Sequence, residues 1–347
     1  MPDIVLSLPD VKQVPGDRPA ECPHCGSGVL QGWGYLPKPV RDQFLREVAV
    51  RRYCCVECGQ TFRHYPDGVT RADQTTRISK LAAILWAFGM SYRQAAAVMC
   101  AFGVQLSRSS IWRDVQALGE AVRSRRRERP VRILGVDGAW LRAQGEKRGI
   151  VVAVDLGTGE PVALEVVEEH DVEGVRAWLG ELVEALGVEV IVTDDLGNYR
   201  QLATDLGVHH QVCRFHTRRW VGRTLRSLGK KLGREKMQLL EQVDQIVADM
   251  PTDGDRQLFD LWRQTPARPP KAGKQATALY QLRRLLIRLS ENWHRYRLYA
   301  ERSDVPATNN GTERAIGKLK VRSSSVRGYK SEAGIQAAFQ LCGGTVR

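Results

Sequence analysis

The sequence has no run of about 18 apolar residues, the length that a membrane-spanning helix needs. Its N-terminus lacks the basic start and apolar stretch of a secretory signal. It also lacks an internal repeat, a Walker loop for nucleotide phosphates and a sustained heptad pattern. We therefore expect a cytoplasmic globular protein, and the length of 347 residues suggests two or three domains.

Acidic residues are in deficit. The chain has 39 Asp and Glu against 52 Lys and Arg, a net charge of +13, which favours a polyanionic partner. The basic residues are clustered in Arg123–Arg129, Arg214–Arg226 and Arg314–Lys330, and the last segment has six basic residues and no acid. The alternative is a basic surface with no functional role, and the clustering argues against it.

The eight cysteines are unevenly spread, and five fall between Cys22 and Cys58. Cys22–Gly26 and Cys55–Gly59 are matched knuckles, each Cys-x-x-Cys followed by Gly. Two residues between thiolates let the backbone wrap a metal ion, and the glycine allows the positive φ of the turn. We predict one structural Zn²⁺ held by four thiolates, from Cys22, Cys25, Cys55 and Cys58.

The 29 residues between Cys25 and Cys55 are more than a zinc ribbon usually has, but the segment from Val29 to Tyr53 can supply its strands. The alternative is two unrelated thiol pairs. Cys54 is a spare thiol that could replace a ligand, and His24 or His64 could replace a cysteine.

A helical pattern follows Gly68, with apolar residues at helical spacing from Leu81 to Phe88. Gly89 should end this first helix, Ser91 should cap a second over Tyr92–Ala101, and Ser107 should open a third. This outline resembles a helix-turn-helix, although a small helical bundle gives a similar pattern. We expect Arg108 and Arg113 on the third helix to contact DNA, with the run Arg123–Arg129 serving as a further contact or as a solvated linker.

From Val131 the pattern becomes α/β. The predicted elements are, in chain order, strands Val131–Ala139, Gly149–Leu156 and Val162–Val167, a helix Val172–Leu186, a strand Val188–Thr193, a helix Tyr199–Leu206 and a strand His209–Cys213. Three consecutive antiparallel strands followed by helix, strand, helix and strand is the order of the ribonuclease H-like fold. The segment from Thr217 to about Tyr299 reads as helical and basic.

Three acids occupy positions suited to a metal-dependent nuclease. Asp137 lies on an apolar strand, and Asp194 continues the apolar face of the next buried strand, with Asp195 as the alternative. Glu313 lies where a helix should begin, although Asn310 and Glu313 could form a capping box alone. Two aspartates and a glutamate can hold two divalent cations about 3.5–4 Å apart.

The C-terminal segment resembles the signature of bacterial insertion-sequence transposases of the Asp-Asp-Glu type. The matching residues are Thr308–Asn310, Glu313–Ile316, Lys320, Arg322, Gly328 and Ser331. The spacing from Asp194 to Tyr199 and the Cys-x-x-His element Cys213–His216 are also similar to such families.

The resemblance implies a multidomain chain with the following organisation: a zinc ribbon (1–68), a helix-turn-helix DNA-binding domain (69–129), and an α/β ribonuclease H-like mixed-sheet catalytic core (130–216 and 301–347) with an α-helical insertion (217–300). It implies DNA cleavage and 3′-hydroxyl strand transfer by Asp137, Asp194 and Glu313 with two Mg²⁺ or Mn²⁺. Phosphate contacts are expected from Arg314, Lys318, Lys320, Arg322, Arg327 and Lys330.

The implied partner is double-stranded DNA, both element ends and target, bound by a nucleoid-associated homodimer. Asn309 and Asn310 should support the site, and Cys213 and His216 should order its edge, unless His216 contacts DNA or Cys213 is simply core. A metal site at this pair would need two more ligands, for which His209 and His210 are the nearest in sequence. Two other functions remain open: a DNA-binding regulator with an inactive core, and a ribonuclease H-like DNA nuclease.

Overall fold

The computed structural model describes residues 8–127, 129–271, 274–326 and 328–343, without the side chain at position 127. Within them the chain forms two compact units. The first contains residues 8–126, 141–147 and 317–343, and the second contains the remaining described residues. The four-part domain organisation stays a prediction.

The first unit begins with a three-stranded antiparallel sheet. Its strands are β1 (Leu30–Pro39), β2 (Glu47–Cys55) and β3 (Thr61–His64), in the order β1-β2-β3. Val48 and Val50 of β2 are both buried, as their spacing of two residues on one face of a strand predicts. The segment between the knuckles therefore forms strands, as expected.

Three helices follow in the first unit: α1 (Thr76–Ala87), α2 (Tyr92–Ala101) and α3 (Arg108–Arg127). Ser91 caps α2 through a capping box with Gln94, and Ser107 accepts a hydrogen bond from the backbone N–H of Ser110 at the start of α3. The three predicted helices are confirmed. Helix α3 continues to Arg127, so most of the basic run is helical rather than a linker.

The second unit is built on a five-stranded sheet. Its strands are β4 (Ile133–Ala143), β5 (Glu146–Asp155), β6 (Pro161–Glu165), β7 (Val190–Thr193) and β8 (His209–Val212). Residues 141–147, at the end of β4 and the start of β5, are counted with the first unit. The order is β6-β5-β4-β7-β8, with β5 and β6 antiparallel and with β4, β7 and β8 parallel. The predicted mixed sheet is confirmed, although β4 runs four residues beyond the expected end at Ala139.

The remaining helices are α4 (Val172–Leu186), α5 (Gly197–Asp205), α6 (Arg214–Gly229), α7 (Met237–Asp249), α8 (Gly254–Arg263), α9 (Ala278–Glu291), α10 (Trp293–Glu301), α11 (Asn310–Ser325) and α12 (Glu332–Cys342). Helices α6 to α10 share an apolar core that includes Val243, Leu286 and Trp293, which confirms the predicted helical segment. A second core lies against the sheet, around Leu134, Leu179 and Ile191. None of the described helices combines the length and apolarity that a membrane span requires.

Candidate active site

Two parallel strands bring Asp137 and Asp194 side by side. In the register of β4 and β7, Ile133 pairs with Val190 and Gly135 pairs with Val192. Two residues further on, this register places Asp137 opposite Asp194. Neighbouring strands lie about 4.8 Å apart, so the two aspartates are neighbours on adjacent inner strands, Asp137 within β4 and Asp194 directly after β7.

The electrostatics of the two aspartates reflect this proximity. Burial, followed by the charges of Glu169 and Asp194, raises the pKa of Asp137 from 3.8 to about 7. Burial also raises the pKa of Asp194, whose Oδ1 accepts a hydrogen bond from the backbone N–H of Leu196. In the described part of the chain, neither aspartate forms an ion pair with Lys or Arg. The clustered negative charge is therefore poorly compensated by the protein itself.

Asp195 faces a different environment. Its Oδ2 accepts hydrogen bonds from Arg288 Nη2 at 2.7 Å and from the hydroxyl of Tyr296 at 3.0 Å. Its side chain is 5% exposed. Asp195 therefore neither caps α5 nor faces Asp137, and its carboxylate is occupied by the helical part of the second unit.

Glu313 is held near the sheet by Asn309. The Nδ2 of Asn309 donates to the carbonyl of Val136 at 2.9 Å, and its Oδ1 accepts from the hydroxyl of Thr312 at 2.6 Å. Gly135 makes this approach possible, because a β-carbon there would overlap both Thr312 and Asn309. The start of α11 is thereby fixed beside the strand that carries Asp137.

The predicted capping box at Asn310 does not form in the expected register. Helix α11 begins at Asn310 itself, and the buried Asn309 makes the side-chain contacts at its start. Glu313 Oε1 has no hydrogen-bond partner in the described structure. This oxygen is therefore not used for capping the helix.

Cys213 and His216 lie beside Glu313, and the aspartates are not part of this group of ligand atoms in the described residues. The Nδ1 of His216 lies 3.6 Å from Glu313 Oε1, and ligand atoms of Cys213, His216 and Glu313 all lie within 4.8 Å of one another. Hydrogen bonding to Cys213 chiefly raises the pKa of His216, with smaller contributions from Glu313 and Asp137. The site thus contains a thiol and an imidazole at its edge.

The neighbouring histidines do not complete a metal site with this pair. His210 contacts the hydroxyl of Thr193 at 2.9 Å and Arg295 at 3.3 Å. His209 is not among the ligand atoms grouped with Cys213. The ligands that a separate metal at Cys213 and His216 would need are therefore not supplied by these residues.

Glu169 is a fourth carboxylate of the site that the sequence interpretation missed. Its charge contributes to the raised pKa of Asp137, and burial raises its own pKa. It lies between β6 and α4, outside any strand or helix. The only local signal is the acidic pair Glu168 and Glu169 after β6, and such pairs are common on solvated surfaces.

The four knuckle cysteines of the first unit converge. The Sγ atoms of Cys22 and Cys58 are 3.8 Å apart, and those of Cys25 and Cys55 are 3.6 Å apart. Sulfurs bound tetrahedrally at about 2.3 Å from Zn²⁺ would be roughly 3.8 Å apart, so the spacing fits this ion. Cys54 lies outside the group, and its Sγ contacts the carbonyls of Cys55 and Gly59.

The predicted DNA-contacting residues divide by exposure. Five are exposed: Arg108, Arg113, Arg314, Lys320 and Lys330. Lys318 is half-buried, and Arg327 lies outside the described residues. Arg322 requires a correction, because its side chain is 3% exposed, donates to the carbonyl of Met90 and stacks on Trp86. It packs within the first unit and is not available to phosphate.

Comparisons with known proteins identify related sequences. Residues 170–337 match the model of the transposase IS66 family. The matched segment contains Asp194, Cys213, His216 and Glu313, and begins after Asp137. An insertion element ISM1 uncharacterized 48.3 kDa protein of Methanobrevibacter smithii is 22% identical over 330 residues, which cover 90% of this chain and 79% of that protein. These matches confirm the resemblance to insertion-sequence transposases, and a transposase is the function that they support.

Similar solved structures are more distant. The Drosophila P element transposase strand transfer complex aligns with 10% identity over 79% of this chain and 92% of that chain, at a TM-score of 0.41. A simian T-cell lymphotropic virus intasome in complex with PP2A regulatory subunit B56 gamma aligns with 16% identity over 45% of this chain and 55% of that chain, at a TM-score of 0.22. Scores this low do not establish a common fold.

Proposed function

We propose that this chain is a DNA transposase that cleaves DNA strands and joins a 3′-hydroxyl end to target DNA. The catalytic residues are Asp137, Asp194 and Glu313, in a ribonuclease H-like core. The observation that supports the proposal is the parallel register of β4 and β7, in which the position of Asp137 is opposite that of Asp194. The transposase relatives supply the class of reaction.

The donor set fits Mg²⁺ or Mn²⁺. Hard divalent cations prefer carboxylate oxygen, and the clustered aspartates form no ion pair with a basic side chain in the described structure. A partly buried carboxylate without a positive partner is costly, so the cluster favours cation binding. When bound, two such cations supply activation of the attacking oxygen and stabilisation of the leaving oxygen.

The protein side chains have distinct roles in this proposal. Asp137 and Asp194 bind cations from the sheet edge, and Glu313 does so from the start of α11. Asn309 positions Glu313 through its bonds to Val136 and Thr312. Cys213 and His216 order the edge of the site beside Glu313. Asn310 is exposed at the helix start and faces DNA in this proposal.

The first unit supplies DNA recognition in this proposal. One Zn²⁺ bound by the four knuckle thiolates stabilises its sheet, and the exposed Arg108 and Arg113 at the start of α3 contact DNA as part of a helix-turn-helix. Zinc content measured on the purified chain, and on a Cys22→Ala/Cys25→Ala double variant, tests the metal. Equal zinc in both proteins would contradict it. Paired cutting at two element ends leads us to expect a homodimer on DNA.

The test of the reaction is magnesium-dependent nicking and joining of DNA that carries the inverted repeats flanking the gene. We expect the wild-type chain to nick this DNA with Mg²⁺, and Asp137→Asn and Asp194→Asn to reduce nicking by about 10³-fold or more. Asp195→Asn is a poor control because that carboxylate is structural. Glu168→Gln removes an exposed charge nearby and should remain active.

The outcomes separate the alternative functions. Nicking without joining of 3′-hydroxyl ends would indicate a nuclease of the same fold. Specific binding without any magnesium-dependent nicking would indicate a DNA-binding regulator with an inactive core. Full activity in Asp137→Asn would remove that residue from the proposed site.

A further inference from the structure

Glu169 is held in place by the two segments that follow the aspartates. Its Oε1 accepts a hydrogen bond from the backbone N–H of Gly138 at 3.1 Å and from the hydroxyl of Tyr199 at 2.9 Å. Its own carbonyl accepts from Asn198 Nδ2 at 2.8 Å. Gly138 directly follows Asp137, and α5 with Asn198 and Tyr199 follows Asp194. The Glu169 carboxylate is therefore fixed between the middle of β4 and the helix that follows β7.

Gly138 has no room for a side chain. A β-carbon at this position would overlap the Cδ and Oε2 atoms of Glu169. The carboxylate thus lies directly against the backbone beside Asp137. Tyr199 is fully buried, so its hydroxyl is a rigid donor rather than a mobile surface group. The packing holds Glu169 in one orientation.

The two donors occupy only one oxygen of the carboxylate. In the described structure Oε2 accepts no hydrogen bond, and Glu169 forms no ion pair with Lys or Arg. A purely structural acceptor need not carry a charge, because a glutamine oxygen could accept the same two hydrogen bonds. Glutamate instead adds a negative charge beside Asp137 and Asp194. Oriented carboxylates with one open oxygen suit hard cations.

We propose that Glu169 is a further acidic ligand of the divalent-cation site, added to Asp137, Asp194 and Glu313. This inference depends on the proposed function, because it assumes that cations bind at the two aspartates. Tyr199 is a positioning residue that acts through Glu169. The site then carries four carboxylates, three of which are held by the sheet and the segments next to it.

Titration calorimetry with Mn²⁺ tests the inference. The protein is the full chain loaded with zinc and freed of other divalent cations. Glu169→Gln keeps the shape and both hydrogen bonds but removes the charge, and we expect at least a tenfold rise in the Mn²⁺ Kd. Glu168→Gln removes the same charge from the exposed neighbouring residue, and its Kd should match the wild type. A wild-type Kd and stoichiometry in Glu169→Gln would overturn the proposal.

Two further variants separate the possible failures. If Asp137→Asn leaves Mn²⁺ binding unchanged, the proposed cation site itself fails. If Asp137→Asn abolishes binding while Glu169→Gln does not alter it, only the role of Glu169 fails. Tyr199→Phe removes one donor to Oε1 and should raise the Kd by about two- to fivefold. Should Glu169→Gln not fold, an unchanged Kd in folded Tyr199→Phe would count against the proposal.

Discussion

At the scale of single residues, the acids of the candidate site reduce the stability of the cation-free chain. The pKa of Asp137 is raised from 3.8 to about 7 by burial and then by Glu169 and Asp194. In the unfolded chain this carboxyl titrates near its ordinary value, so between about pH 4 and 7 the folded chain binds more protons than the unfolded chain. The free energy of unfolding must therefore fall as the pH rises through this window.

Asp137→Asn should remove the part of that pH dependence that Asp137 contributes. Without divalent cations at about pH 8, we predict that this variant is more stable than the wild type by roughly 2 kcal/mol, or a few degrees in the melting temperature of the second unit. The difference should shrink near pH 4, where the folded wild type is already protonated at Asp137. Calorimetric melting curves at both pH values measure it.

Added Mg²⁺ should reverse the order of stability. Cations bind the folded wild type and raise its melting temperature, whereas the variant has lost a ligand. The exposed Asp260→Asn is the matched control and should melt like the wild type in all conditions. A variant that melts below the wild type at pH 8 without cations would contradict the assigned cost of the buried charge.

The sequence could predict the residues whose position depends on local periodicity. Asp137 lies on a buried strand and Asp194 follows another, and alternation favoured Asp194 over Asp195, whose carboxylate bonds to Arg288 and Tyr296. Glu169 could not be found, because its place depends on an approach to Gly138 and Tyr199 that no local pattern encodes. The prediction that Arg322 contacts phosphate was wrong for the same reason, because its side chain is buried by a contact with Trp86, far away in sequence.

At the scale of elements, the start of α11 depends on a glycine in a strand. A side chain at Gly135 would overlap Thr312 and Asn309, which fix this helix beside β4. We predict that Gly135→Ala moves Glu313 away from the aspartates and reduces magnesium-dependent nicking by at least about 10²-fold, because small displacements of catalytic groups are costly. Nicking rates of the folded variant measure the effect.

Gly317→Ala is the matched control within the same helix. A β-carbon at Gly317 meets no atom within 4 Å, and its backbone is helical. Alanine is favoured over glycine inside a helix by about 1 kcal/mol, so this variant should melt at the same or a higher temperature and nick normally. Equal activity in both glycine variants would show that the contacts of Asn309 do not position Glu313.

Helices whose ends are marked by capping residues in the local sequence could be predicted. Helix α4 runs over Val172–Leu186 as expected, because Asp171 caps its start and Gly187 adopts the left-handed conformation at its end. The start of α11 differs by one residue, since Asn309 is selected by its bond to Val136 rather than by its own segment. Strand β4 extends past its expected end at Ala139, and the residues beyond that point alternate between buried and exposed, as in a strand.

At the scale of the whole molecule, the net charge of +13 predicts a polyanionic partner but does not identify which basic residues contact it. The burial of each side chain shows which of Lys320 and Arg322, two residues apart on α11, is available to such a partner. Lys320 is exposed, whereas Arg322 is buried against Trp86 and Met90. Burial lowers the pKa of Arg322, so its side chain serves packing within the first unit.

This pair gives a direct test of DNA contact. The logarithm of the DNA Kd should depend on the logarithm of salt concentration, and Lys320→Ala should reduce that slope by about 0.9 if it contacts one phosphate. Arg322→Ala should instead lower the melting temperature, because it removes a buried cation that packs on an aromatic ring, and should leave the slope unchanged in protein that remains folded. Fluorescence anisotropy of a labelled duplex across a salt series measures the slopes. A reduced slope in Arg322→Ala with an unchanged slope in Lys320→Ala would mean that the DNA-bound chain exposes a different face of α11 from the one described here.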